Sequence, residues 1–127
     1  MASVRTLEAT RLDLQTRLDA GKTPTERNKL GQFATPTPLA VDILEYAQSL
    51  LPPRTKIRFL DPAFGTGSFY SALLQVFPTS RIENALGFEI DPHYGSEAVR
   101  LWNDTSLILH LTDFTRVPAP TGEHDKA

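Results

Sequence analysis

The sequence predicts an α/β protein in which three parallel strands with flanking helices follow an N-terminal helical region. Three short apolar runs have strand character, at residues 56–60, 85–90 and 107–111. Helical patterns separate these runs, and parallel neighbouring strands need crossovers of that kind. The length of 127 residues suits one domain with a core of its own.

The composition is that of an ordinary globular protein, with 40% hydrophobic and 22% charged residues. It excludes collagen-like, intrinsically disordered and membrane-spanning chains. Because the sequence contains no Cys, it also excludes disulfides, thiolate metal sites and a cysteine nucleophile. Charged residues throughout the first twenty positions exclude the apolar core of a signal peptide, so we expect a cytoplasmic protein.

Charge is distributed unevenly, although the net charge is only −2. Residues 1–30 contain six Lys or Arg and four Asp or Glu. Residues 81–127 contain four Lys or Arg and eight Asp or Glu. The basic start could contact phosphate, but a solvated helix of mixed charge is the better interpretation. The chain alone is therefore not predicted to clamp a nucleic acid.

The first thirty residues predict two helices. Residues 3–20 repeat apolar side chains near a helical period, and Gly21 is expected to end that helix. Thr23, Pro24 and Glu26 then form a capping box with Pro at the first helical position, which predicts a short second helix.

The rest of the chain is predicted as a loop at 31–36, a helix at 37–51, and further helices at 68–77 and 93–102 between the strands. Residues 115–127 read as a loop or disordered tail. The predicted organisation is thus a helical region, an α/β subdomain from residue 31 to 114, and the tail.

Side chains with binding chemistry follow the ends of the strands. Asp61, Glu89 and Asp113 end the three strands in turn, and Gly65 and Gly67 open the helix after the first. Parallel sheets bind ligands outside the carboxyl ends of their strands, where glycines allow close backbone approach. Each acid alone could be a solvated strand end or a cap, but three together predict a nucleoside cofactor.

The residues around the glycines indicate which cofactor. Asp61 stands directly before the turn, and Tyr70 occupies the position of the third glycine in the dinucleotide pattern. A carboxylate there repels a pyrophosphate but suits a cationic ligand. S-adenosylmethionine carries an ammonium and a sulfonium, so a methyl donor is favoured over NAD.

Four segments resemble motifs of the adenine-N6 DNA methyltransferases of the γ arrangement. Asp61–Phe69 resembles their S-adenosylmethionine motif, Gly87–Pro92 their acidic second motif and Thr112–Phe114 their third. Leu30–Pro36 resembles the loop that precedes the sheet in these enzymes and sets the γ order. The resemblance implies a partial Rossmann-like class I methyltransferase fold that binds S-adenosyl-L-methionine.

The resemblance also implies roles on the methionine side of the cofactor. Thr35 would hold the methionine carboxylate, beside a wall shaped by Gln32 and Phe33. Asp61 would contact the ammonium. Residues of the turn would line the methionine and ribose side: Ala63, Phe64, Gly65 and Gly67.

On the nucleoside side, the resemblance implies that Glu89 takes the ribose hydroxyls and that Ile90 packs on the adenine. Asp113 would accept from the exocyclic amine, with Phe114 beside the ring. The three His have no metal-ligand spacing, so no metal is expected. The other large aromatic residues are interpreted as core: Tyr46, Phe59, Phe77, Phe88 and Trp102.

The family's catalytic Asn/Asp/Ser-Pro-Pro-aromatic motif is absent. Pro52-Pro53 precedes the first strand, and residues 117–120 have neither the polar residue nor the aromatic one. The chain ends 14 residues after Asp113, about where a fourth strand is expected. We therefore expect no catalytic residue here, and interpret the chain as an inactive cofactor-binding fragment of a site-specific restriction-modification DNA methyltransferase, truncated before strand four. DNA would be bound by the missing downstream part.

Two alternatives remain open. An rRNA adenine dimethyltransferase fragment would have a similar loop, Gly-Gln-x-Phe, where this chain has Gly31-Gln32-Phe33. A non-catalytic nucleotide-binding or scaffold domain would share the fold. Without a fourth strand, residues 56–60 are also expected to form an open edge, which predicts a homodimer or swapped assembly. Lys56 and Arg58 weaken that prediction, because charged residues also keep edges single.

Overall fold

The computed structural model describes residues 2–30 and 32–118. The helices and strands follow one another in this order: α1 (Val4–Ala20), α2 (Pro24–Leu30), α3 (Thr37–Leu50), β1 (Ile57–Asp61), α4 (Ser68–Val76), β2 (Ile82–Phe88), α5 (Pro92–Leu101) and β3 (Leu107–His110). Short 3-10 turns lie at Thr79–Arg81 and Phe114–Arg116. The predicted alternation of strand and helix is confirmed, whereas Gly31 and the part of the predicted tail from residue 119 onward lie outside the described residues.

The three strands form a parallel sheet in the order β1-β2-β3. Asp61 at the end of β1 lies beside Gly87 of β2, and Phe88 lies beside His110 at the end of β3. The carboxyl ends of the strands therefore meet at one edge of the sheet. The architecture is α/β and compatible with a partial Rossmann-like fold.

The core lies between the sheet and the helices. Trp102 and Tyr70 are almost wholly buried and meet edge to face, with ring centroids 5.0 Å apart. Alternate strand residues point to the opposite face of the sheet, where Leu60 and Ile108 are exposed. Parallel sheets are usually covered on both faces, so this face is unusually open in the part of the chain described.

The prediction of core aromatic residues holds for Phe77, Phe88 and Trp102 but is wrong for Tyr46, which is 68% exposed. Helix α3 buries Leu44. Tyr46 follows two residues later, about 200° further round the helix, and so points away from the core.

The boundaries of β2 differ most from the prediction, since the strand begins at Ile82 rather than Ala85 and ends before Glu89. Polar residues in its first half obscure the strand pattern in the sequence.

The capping box of α2 is confirmed: Thr23 N–H donates to Glu26 Oε1 at 2.8 Å, and Glu26 N–H donates to Thr23 Oγ1 at 3.1 Å.

Candidate functional site

The turn between β1 and α4 uses two left-handed glycines, Gly65 with φ of 62° and Gly67 with φ of 101°. Two hydrogen bonds, one from the core and one within the turn, hold its backbone. The indole N–H of Trp102 donates to the Thr66 carbonyl at 2.8 Å, and Gly67 N–H donates to the Phe64 carbonyl at 3.0 Å. The turn is therefore a rigid backbone element rather than a free loop.

Glu89 links the end of β2 to this turn. Its side chain is buried, with the residue only 7% exposed, and its two carboxylate oxygens accept from Gly65 N–H at 2.7 Å and Asp91 N–H at 2.9 Å. Each carboxylate oxygen can accept more than one hydrogen bond. Glu89 can thus anchor the turn and still accept from a ligand.

Asp61, the last residue of β1, is buried and accepts from Ala63 N–H at 3.1 Å. Burial raises the pKa of the Asp61 carboxyl above its ordinary value, and the nearby charge of Glu89 raises it further. The bond from Ala63 opposes both effects. The charges of these two buried acids disfavour each other, and a nearby cation would relieve that repulsion.

Asp113 follows β3 and caps the last 3-10 turn. Its Oδ1 accepts from the Thr115 hydroxyl at 2.7 Å and from Thr115 N–H at 2.9 Å. These two bonds hold the pKa of Asp113 below its ordinary value, so the carboxylate stays charged. Phe114 packs edge to face on Phe88, with centroids 5.1 Å apart, which places the residue after Asp113 against the end of β2.

The first side chain of the loop at 32–35 fixes the loop to Asp91, the N-cap residue of α5. Gln32 Nε2 donates to Asp91 Oδ2 at 2.5 Å, and Lys22 Nζ donates to Gln32 Oε1 at 3.0 Å. Lys22 and Asp91 also form an ion pair. The guanidinium of Arg27 lies 5.5 Å from the centroid of the exposed Phe33 ring.

One cavity brings together ten of the twelve residues predicted to bind the cofactor. These ten line it: Gln32, Phe33, Thr35, Ala63, Phe64, Gly65, Glu89, Ile90, Asp113 and Phe114. Asp61 and Gly67 do not line it. Gly67 is turned instead toward Trp102 and the Phe64 ring, so its contribution is to the shape of the turn.

Sequence reasoning missed the contribution of α1 and α5 to this cavity, which Gln15 and Tyr94 also line. The Tyr94 hydroxyl donates to Asp19 Oδ1 at 2.7 Å, and Gln15 Nε2 donates to the same oxygen at 3.0 Å. Burial and the charge of Asp19 raise the pKa of Tyr94, so the phenol stays protonated. The polar side chains of α1 were an available signal, but their partners are distant in sequence.

The comparisons with known proteins do not identify the chain. No protein-family model matches it, and no solved structure matches it significantly. Within residues 2–30 and 32–118, no cluster of His, Cys, Asp or Glu could hold a metal ion. None of the helices described has both the length and the apolar character needed to cross a membrane.

Proposed function

We propose that this chain is the S-adenosylmethionine-binding part of an adenine-N6 DNA methyltransferase of the γ arrangement, of the restriction-modification type. The observation that carries the proposal is that Glu89, Asp113, the Gly65 turn and the loop at 32–35 all line one cavity. DNA would be bound by a further part of the protein, in the cytoplasm.

The turn and its charges fit such a ligand. A Cβ atom built on Gly65 would meet no atom within 4 Å, so this side of the turn is open to the cavity. The nearby carboxylates of Asp61 and Glu89 favour an ammonium or sulfonium and disfavour a pyrophosphate. These features support a methyl donor over a dinucleotide.

In this proposal, different residues of the cavity bind different parts of the ligand. Thr35 binds the methionine carboxylate, and the remaining lone pairs of Glu89 accept from the ribose hydroxyls. Ile90 offers an exposed apolar side chain to the adenine, and Asp113 accepts from its amine. The cofactor supplies an electrophilic methyl group when bound.

The sequence lacks the Asn/Asp/Ser-Pro-Pro-aromatic motif that binds a flipped target adenine in the family it resembles. Methyl transfer depends chiefly on positioning the amine against the methyl group. The isolated chain is therefore proposed to bind the cofactor without catalysing transfer.

Thermal unfolding with added ligand tests the proposal. A ligand at about ten times its Kd stabilises the folded state by about 1.4 kcal/mol, which raises Tm by about 3–6 °C for a domain of this size. We expect this rise with millimolar S-adenosylmethionine and S-adenosylhomocysteine but not with NAD. A folded protein that responds to neither of the first two would favour the scaffold interpretation. Assays of methyl transfer by the full enzyme, with duplex DNA and with rRNA as substrates, distinguish a DNA methyltransferase from an rRNA methyltransferase.

We also propose a homodimer across the open edge of β1, which pairs with β2 on one side only among the described residues. Light scattering should give twice the chain mass. Leu60→Lys adds a charge to this edge strand and should give a monomer. Ile108→Lys makes the same change at an equally exposed position on β3 and should leave the dimer intact. A monomeric wild-type protein would contradict the proposal.

A further inference from the structure

Arg11 of α1 is buried far more completely than an arginine in a solvated helix, with only 1% of the residue exposed. A buried guanidinium is tolerated only when its charge and its donors are matched. Glu8, one turn earlier, accepts from Arg11 Nε at 2.7 Å and from Nη2 at 3.0 Å in a bidentate pair. This pair leaves the third guanidinium nitrogen, Nη1, available to another part of the fold.

Nη1 of Arg11 reaches the turn between β1 and α4. It donates to Thr66 Oγ1 at 3.1 Å and to Ser68 Oγ at 3.0 Å. Those two hydroxyls flank Gly67, the residue with φ of 101°. One nitrogen of α1 therefore holds both sides of the left-handed residue in the turn.

Glu8 ties the same pair to two further helices. Its Oε1 accepts from the Ser71 hydroxyl of α4 at 2.7 Å, and its Oε2 accepts from the Thr37 hydroxyl of α3 at 2.6 Å. Burial alone would raise the pKa of Glu8, but hydrogen bonds from Arg11, Thr37 and Ser71 lower it below its ordinary value. Hydrogen bonds thus fix the position of the charged pair relative to α3 and α4.

The hydrogen bonds continue from Thr66 along the wall of the cavity in one direction only. Arg11 can only donate, so Thr66 Oγ1 accepts from it and donates its proton to Gln15 Oε1 at 2.5 Å. The Gln15 amide then donates to the Asp19 carboxylate, which can only accept and which also accepts a hydrogen bond from the Tyr94 hydroxyl. The orientation of Gln15, which lines the cavity, is set by a cation at one end and an anion at the other.

We infer that Arg11 is a positioning residue of the candidate ligand site. It holds the Gly65 turn through Thr66 and Ser68, and it orients the Gln15 wall through Thr66. Arg11 does not line the cavity and acts only through these neighbours. The inference rests on the proposed function for the identity of the ligand, but the ordering of the turn can be measured without one.

Two double variants test the inference. Glu8→Leu/Arg11→Met removes the buried pair together, because removing one partner alone would leave a buried charge. Thr66→Val/Ser68→Ala keeps the pair and removes the hydroxyls that it holds. Because Thr66 and Ser68 themselves line the cavity, the affinity of this variant is compared with that of Glu8→Leu/Arg11→Met, which leaves the lining unchanged. Arg5→Met is the matched control, an exposed arginine on the same helix.

Amide hydrogen exchange of the free protein and calorimetric titration with S-adenosylhomocysteine are measured for each variant. We expect exchange at Gly65 and Gly67 to be about tenfold faster or more in both double variants, with a Kd about tenfold higher. Arg5→Met should change neither. Arg11→Lys should give an intermediate result, since one ammonium cannot reproduce the planar fork.

Unchanged exchange in Thr66→Val/Ser68→Ala would overturn the inference. Faster exchange with unchanged affinity would also overturn it, because Arg11 would then be structural only. If the wild-type protein does not bind S-adenosylhomocysteine, the proposed function fails, and the exchange rates of the turn alone decide whether Arg11 positions it.

Discussion

Gly67→Ala should lower the free energy of unfolding by about 2–6 kcal/mol, since a strained φ costs about 1–3 kcal/mol and overpacking costs a similar amount. The φ of Gly67 is 101°. A Cβ atom there would lie 2.7 Å from Trp102 Nε1 and 2.9 Å from the Phe64 ring, both parts of the rigid core. Neither ring can move without opening the core, so the added methyl group has no space.

Gly65→Ala is the matched control for this substitution. Its φ of 62° is also left-handed, but a Cβ atom there would meet nothing within 4 Å. The expected loss in the free energy of unfolding is therefore only the cost of a left-handed backbone conformation for Ala, about 1–2 kcal/mol. Urea unfolding of both variants measures the difference. Equal losses would show that crowding by Trp102 and Phe64 does not distinguish the two positions.

The sequence was sufficient to predict the elements that depend on local patterns. The capping box at Thr23 and Glu26, the alternation of strands and helices, and the turn at Gly65 and Gly67 each have a signal within a few residues. Because parallel strands align their carboxyl ends, the same patterns also predicted that Glu89 would approach the turn.

The parts that were missed depend on contacts between distant segments. Arg11 lies 55 positions from Thr66, and its neighbours in sequence indicate only a helix of mixed charge. Its burial becomes apparent only when α1 packs on α4 and α5. Similarly, the pattern of α3 does not show which of its apolar side chains face the core, and so Tyr46 was placed there wrongly.

Glu89→Ala should weaken S-adenosylhomocysteine binding about ten- to a hundredfold, because a hydrogen bond to a charged group contributes about 1.5–3 kcal/mol. Glu83→Ala removes an exposed glutamate from β2, at the end of that strand away from Glu89, and should leave the affinity unchanged. Titration calorimetry of both variants measures the difference.

A loss of affinity in Glu89→Ala has two sources in this structure, since the carboxylate also anchors Gly65 N–H. A second ligand separates them. If Glu89 accepts from the ribose, the wild-type protein should bind S-adenosylhomocysteine more tightly than its 2′-deoxy analogue, and Glu89→Ala should bind the two almost equally. If Glu89 only anchors the turn, the variant should weaken both ligands by the same factor and retain the wild-type preference. That second result would remove the ribose contact from the proposal while leaving the anchoring role of Glu89 in place.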